Sequence, residues 1–275
     1  MERQIVIRHE TLELAAAIHY PKGAASQDGQ ASRVPLTIIC HGFAGNRIGV
    51  DRLFVKTARA LAEAGHLTIR FDYAGCGEST GEYGYLGLDS MIAQTRAVID
   101  YALSCGNVDA TRVTLIGHSL GGAIALLTAV KDKRVKRLAL WSAVAYPFND
   151  IVKIIGRENY DQATMQGVAD YLGYSFGAGF FESLARHQPF VEARKFGGDV
   201  LLAHGTSDDV IPVDYCHLYQ KIFWQYSEGH CDQEIIFQAD HTYSSGPHQR
   251  LLIEKTKSWL NRLEQRQEDW QHWTI

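Results

Sequence analysis

Val113-Thr114-Leu115-Ile116-Gly117-His118-Ser119-Leu120-Gly121 decides how the rest of the chain is read. A run of β-branched and aliphatic residues leads into G-x-S-x-G, and an Ala/Leu-rich stretch follows. Strand, serine between small residues, then helix is the order a nucleophile elbow requires. The serine there occupies a strained backbone position, so Gly117 and Gly121 let strand and helix approach closely.

Outward from this junction, strand and helix patterns alternate. Upstream, Ile5-Val6-Ile7 and Leu12 to His19 predict an opening antiparallel hairpin, followed by a Gly/Ser/Gln-rich loop from Pro21 to Arg33. Leu36 to Cys40 is a continuous apolar run, as for a strand buried on both faces. Phe54, Val55, Ala58, Leu61 and Ala62 share a helical face ending at Gly65; Leu67 to Phe71 predicts a strand, and Asp89 is placed to cap the next helix. Downstream, strands are expected at Leu138 to Ala143, Val200 to Ala203 and Glu234 to Phe237, with a helix after Pro212. Leu252, Thr256, Trp259, Leu260 and Leu263 then give a last helix. This alternation implies a mostly parallel sheet with helices on both faces and functional groups at the carboxyl ends of its strands.

Residues 145–196 break the rhythm with Tyr146, Phe148, Tyr160, Tyr171, Tyr174, Phe176, Phe180 and Phe181 among glycine and polar residues. Long insertions in compact domains are usually functional, so this segment is expected to form a cap on a core made of residues 1–144 and 197–275. The alternative is a long crossover whose aromatics simply pack.

Composition bounds the chemistry. The chain has 275 residues, 46% of them hydrophobic and 21% charged, with a net charge of −4. That suits one large domain and offers no basic surface to nucleic acid. No stretch approaches a membrane span, and the N-terminus lacks a signal-peptide core, so a cytoplasmic setting is expected. The five cysteines form no C-x-x-C pair and read as free thiols. Cys216-His217 and His230-Cys231-Asp232 are adjacent rather than spaced like zinc ligands, so no metal is expected.

A serine hydroxyl needs a histidine to take its proton and a carboxylate to orient that histidine. The segment from Val200 to Pro212 supplies a strand, a glycine turn and two carboxylates, Asp208 and Asp209. Asp208 is preferred, and Asp209 suits the cap of the helix opened by Pro212. His241 follows the last strand, where a loop histidine swings over the sheet toward the serine. An oxyanion needs two donors: the backbone N–H of Leu120, after the nucleophile, and that of Phe43 in His41-Gly42-Phe43-Ala44-Gly45. Asp72 reads as a residue that fixes its loop. Cys40 and Cys76 lie near the expected site, but neither occupies the elbow. Trp270 and Trp273 mark a partner surface or a tail folded back on the domain.

With these places marked, the chain resembles the α/β-hydrolase superfamily, and most of all the bacterial cinnamoyl/feruloyl esterases. The resemblance is carried by His41 to Arg47, Arg70-Phe71-Asp72-Tyr73-Ala74-Gly75-Cys76-Gly77-Glu78-Ser79, Gly117 to Gly121, His204-Gly205-Thr206-Ser207-Asp208 and Ala239-Asp240-His241. It implies the α/β-hydrolase fold, a mostly parallel eight-stranded sheet flanked by helices with a small inserted cap. The acid then falls on Asp208, in the H-G-x-x-D turn, and the oxyanion N–H on Phe43. Cys76 stands where a histidine is common in the family. The implied activity is a serine carboxylesterase that needs no cofactor and acts on small apolar or hydroxycinnamoyl-type esters. Acyl-thioesterase or monoacylglycerol lipase chemistry would use the same residues, and an inactive hydrolase-like binding protein is the rival from another class. A homodimer is compatible with an apolar insertion, and nothing in the sequence decides it.

Overall fold

The computed structural model describes residues 1–21 and 33–272, with side chains to residue 267. The Pro21–Arg33 loop falls almost wholly outside the described residues, as do Trp273 and the side chain of Trp270.

Eight strands form the main sheet: β1 (Glu2–His9), β2 (Leu12–His19), β3 (Val34–Cys40), β4 (Leu67–Phe71), β5 (Val108–His118), β6 (Val135–Trp141), β9 (Asp199–Gly205) and β10 (Cys231–Ile236). A separate hairpin pairs β7 (Ala169–Tyr171) with β8 (Tyr174–Phe176). The sheet order is β1-β2-β4-β3-β5-β6-β9-β10, antiparallel at the β1–β2 and β2–β4 pairs and parallel elsewhere.

Alternation along each strand divides the core. Ile39, Ile116, Ala139 and Leu201 pack under α1 (Leu53–Glu63) and α9 (Gly246–His272). Ile38, Leu115, Leu138 and Leu202 face the side covered by α2 (Leu88–Ser104), α3 (Leu120–Lys131) and α8 (Asp214–Tyr226). The helical stripes read from sequence are the buried ones: Phe54, Val55, Ala58, Leu61 and Ala62 on α1, and Leu252, Thr256, Trp259, Leu260 and Leu263 on α9. Burying each such Leu or Phe stabilises the fold by about 1.5–3 kcal/mol.

Two helix starts differ from expectation. Gly87, not Asp89, holds the N-cap position of α2; Asp89 sits in the first turn, where the helix dipole favours an acid, and pairs with Lys131 and Arg186. Helix α8 begins at Asp214 after Val213, and Asp209 caps nothing. The amides of that turn are taken by Asp208, which leaves Asp209 facing solvent.

Between β6 and β9 lie α4 (Pro147–Ile155), α5 (Arg157–Gln166), the β7–β8 hairpin, α6 (Ala178–Ala185) and α7 (Pro189–Glu192). The chain leaves β3 toward β4 on one side and returns to β5 on the other. Neighbouring strands thus send their carboxyl ends apart at Cys40 and Gly117, which are in register. A crevice at such a switch point is where open α/β sheets bind ligands.

Candidate active site

Ser119 sits between β5 and α3 with φ 57° and ψ −124°, a conformation ordinary L-residues avoid. Close packing enforces it: a Cβ at Gly117 would stand 2.2 Å from the Gly121 carbonyl oxygen, and one at Gly121 2.2 Å from that of Cys40. The Ser119 amide donates to the Trp141 carbonyl at 2.9 Å, and its own carbonyl accepts from Gly122 and Val144. A strained turn tied this firmly presents the hydroxyl at the switch point.

Asp208 follows β9, and its side chain is fully buried. Its Oδ1 accepts the Val210 and Ile211 amides at 3.0 and 2.8 Å; its Oδ2 takes His241 Nδ1 at 2.8 Å and lies 3.1 Å from His204 Nε2. Burial by itself would raise its pKa, but the hydrogen bonds from His204, His241 and Ile211 outweigh that and hold the carboxyl well below the usual range. His241 therefore faces a fixed carboxylate. Ser119 Oγ and the His241 ring open onto one cavity with no hydrogen bond yet between them. In unliganded sites such contacts often tighten only in the substrate complex.

The loop after β3 is held by a histidine that is spoken for at both nitrogens. His41 Nε2 accepts the Tyr73 amide at 3.1 Å, so Nδ1 carries the proton and donates it to the Gly42 carbonyl at 2.8 Å. The Gly45 amide reaches the same carbonyl. Across a trans peptide, a carbonyl drawn one way sends the next amide the other way, so the Phe43 N–H points away from this cluster. Gly42 packs against Ser119, where a Cβ on residue 42 would stand only 3.1 Å from the Ser119 Cβ, and Phe43 lines the cavity. The Phe43 ring is clasped by Phe176, Tyr83, Phe180 and Tyr171 at centroid distances of 5.4, 6.0, 6.1 and 6.2 Å. Leu120 opens α3, where backbone N–H groups have no partner within the helix.

The cavity has a volume of about 350 Å³, and among the described residues no Asp, Glu, Lys or Arg lines it. Its apolar wall is Val50, Leu53, Phe54, Ile154 and Val210. The insertion contributes Ile154 alone, while its aromatics pack on one another and on Phe43.

Other candidates take other places. Asp72 accepts the backbone and side chain of Arg47 and the Glu78 amide, so it fixes its loop. Burial pushes the Cys40 and Cys76 thiols up to about 11 and about 12, where they stay protonated and poorly nucleophilic. Sequence reasoning assigned no role to His118 or His204. His118 was the variable position of the pentapeptide and His204 the first residue of the H-G turn. His118 finds its partner in a loop distant in the chain, His241, whereas His204 meets Asp208 and the Ile211 carbonyl in the turn just after its own strand.

The α/β hydrolase fold family model matches residues 35–173. A 31.7 kDa protein from the traX–finO intergenic region of Escherichia coli is 40% identical over 118 residues, which is 43% of this chain and 40% of that protein. The quorum-quenching protein AidA of Acinetobacter baumannii is 35% identical over 102 residues, 37% of this chain and 33% of that one. The matches thus span about two fifths or less of these curated relatives' length. Among solved structures, Est1E from Butyrivibrio proteoclasticus with ferulic acid bound superposes with a TM-score of 0.80 at 24% identity, covering 94% of this chain and 98% of that one. Alpha/beta hydrolase domain-containing protein 10 from mouse gives a TM-score of 0.71 at 19% identity, covering 95% and 99%. Elbow, sheet order and family model agree: the chain belongs to the α/β-hydrolase fold family.

Proposed function

We propose that this protein is a serine carboxylesterase for small, uncharged, apolar esters. The observation that carries the reading is the Asp208–His241 bond of 2.8 Å beside a cavity shared with the strained Ser119. Ser119 Oγ attacks the ester carbonyl carbon while His241 Nε2 takes the hydroxyl proton, and Asp208 steadies the imidazolium through Nδ1–H. The carbonyl electron pair moves to oxygen, which the Phe43 and Leu120 amides receive, each worth roughly 3 kcal/mol in comparable chemistry. Collapse expels the alkoxide, which takes the proton back from Nε2. Water then repeats the sequence on the acyl-enzyme and frees Ser119.

The lining favours neutral esters, because a carboxylate or ammonium buried there would find no Lys, Arg, Asp or Glu side chain among the described residues to pair with. Aromatic acyl groups such as hydroxycinnamates would meet Phe54 and the aliphatic wall rather than the insertion's aromatics. The protein should be challenged with p-nitrophenyl esters of graded acyl length, methyl ferulate and an acyl-thioester, and with a fluorophosphonate probe. Ester turnover that is lost together with probe labelling at Ser119 is the expected result. Failure of the probe to label Ser119 in folded protein would overturn the reading, and faster thioester turnover would reassign the substrate.

A further inference from the structure

Four histidines crowd the carboxyl ends of β3, β5 and β9 and the loop after β10, and the proposed mechanism uses only His241. His118 is the one whose place bears on that reaction. It is the residue before Ser119, 8% exposed, and its Nε2 stands 2.8 Å from the backbone carbonyl oxygen of His241. A carbonyl only accepts, so Nε2 carries the proton and donates it. The two imidazole rings lie 4.9 Å apart between centroids at 40°, so His118 also backs the ring of His241. Phe54 and Tyr243 hold His118 from its other sides at 6.2 and 6.3 Å.

We propose that His118 is a positioning residue that ties the backbone of His241 to the residue next to the nucleophile. This rests on the ester-hydrolase reading of the site. The loop carrying His241 is anchored on both flanks. Gln238 N–H donates to Thr206 Oγ1 at 2.8 Å, Ser207 N–H to the Ala239 carbonyl at 2.9 Å, and the Tyr243 hydroxyl to the Ala203 carbonyl at 3.1 Å. Residue 241 itself has two ties: its Nδ1 to Asp208, and its carbonyl to His118. The first leaves the ring free to rock about Nδ1, which swings Nε2 across the position of the Ser119 hydroxyl. The second removes that freedom by fixing the peptide that carries the ring. His118 thereby sets the distance from base to nucleophile through one side chain rather than through three strands. The ring that does this is neutral, because burial and the neighbouring His241 push its pKa down to about 3.

The test compares His118→Met, which keeps bulk but no donor, with His118→Gln, whose amide N–H reaches nearly as far as Nε2. Initial rates on a p-nitrophenyl ester, fluorophosphonate labelling rates and thermal melts are measured for both and for the parent. In His118→Met, kcat and the labelling rate should fall about 10–100-fold while KM moves less than about threefold, since a base misplaced by an ångström costs rates of that order. His118→Gln should recover most of the loss. Parent-like kcat in His118→Met, or a His118→Gln no better than His118→Met, would overturn the proposal. If His118→Met does not fold, His118→Gln against His118→Asn, whose amide is too short, decides by the same criterion. A parent that neither turns over ester nor labels at Ser119 instead removes the reading beneath it.

Discussion

The insertion between β6 and β9 and the short segment from His41 to Phe54 invite opposite expectations and reverse them. The insertion is long and crowded with aromatics, yet it gives the cavity a single side chain, Ile154. The short segment supplies His41 to Asn46, Gly49, Val50, Leu53 and Phe54. Aromatic content measures how much a segment must bury, and here the insertion buries Phe176, Phe180 and Phe181 against itself and against Phe43. Contact with a ligand is set instead by nearness to the strand ends. The segment from Gly49 to Arg52 also carries three residues in succession or near it with positive φ: Gly49 at 71°, Asp51 at 50° and Arg52 at 63°. Such strain persists only where the surroundings impose it, and it clusters at functional sites.

Substitutions at the strand ends should therefore abolish chemistry, and those in the insertion should cost stability. The largest effect expected is from Ser119→Ala, which should reduce kcat by more than about a thousandfold with an unchanged melting temperature. Asp208→Asn should cost about 10²–10⁴ in kcat, because an amide offers His241 the wrong partner, while Asp209→Asn should stay within about twofold of the parent. The same assay on both variants settles which aspartate serves. In the insertion, Phe180→Ala should remove about 3–5 kcal/mol of stability in denaturant titrations yet leave the ranking of acyl chains intact. A changed ranking would mean that the insertion reads the substrate after all. Leu53→Ala should do the reverse, shifting preference toward bulkier acyl groups by several-fold, as about 1–3 kcal/mol per methylene step allows, with a smaller loss of stability.

Acid should separate the two regions as well. His118 has its folded pKa lowered to about 3, by burial first and then by His241, so it contributes fully above its unfolded value near 6.5. That contribution is lost as pH falls from about 6.5 toward 3. Asp150, at the start of α4, has its pKa raised by burial, so its share grows as pH falls toward the usual carboxylate range. Amide protection factors, which divide out the intrinsic slowing of exchange in acid, should therefore fall between pH 7 and pH 5 around residues 237–245 and not in α4.

The fold was legible because period-two and helical patterns are enforced by burial on both faces of one sheet. Ile38 and Ile39 point to opposite cores, and the sequence shows both as apolar. Strand β5 begins at Val108, five residues before its apolar run, because Asp109, Ala110, Thr111 and Arg112 extend it with exposed or half-exposed side chains that carry no burial signal. Ser119, Asp208 and His241 stand out as candidates from motifs, since each lies in the turn or loop that follows a strand, and the structure pairs Asp208 with His241. What escaped were relations between distant segments. Nothing in the spacing of His118 and residue 241 announces a hydrogen bond across 123 positions. The clasp of Tyr171, Phe176 and Phe180 around Phe43 was equally silent. A capping preference alone places Asp209 at the next helix, but Asp208 already accepts the amides of that turn, and this is not visible in the spacing.

That clasp bears on how such molecules diversify. An insertion that grips the very residue whose amide is proposed to receive the negative charge is no detachable accessory. Exchanging it wholesale for a relative's version would disturb reactivity toward every substrate alike before it altered selectivity, unless position 43 were re-tailored along with the graft.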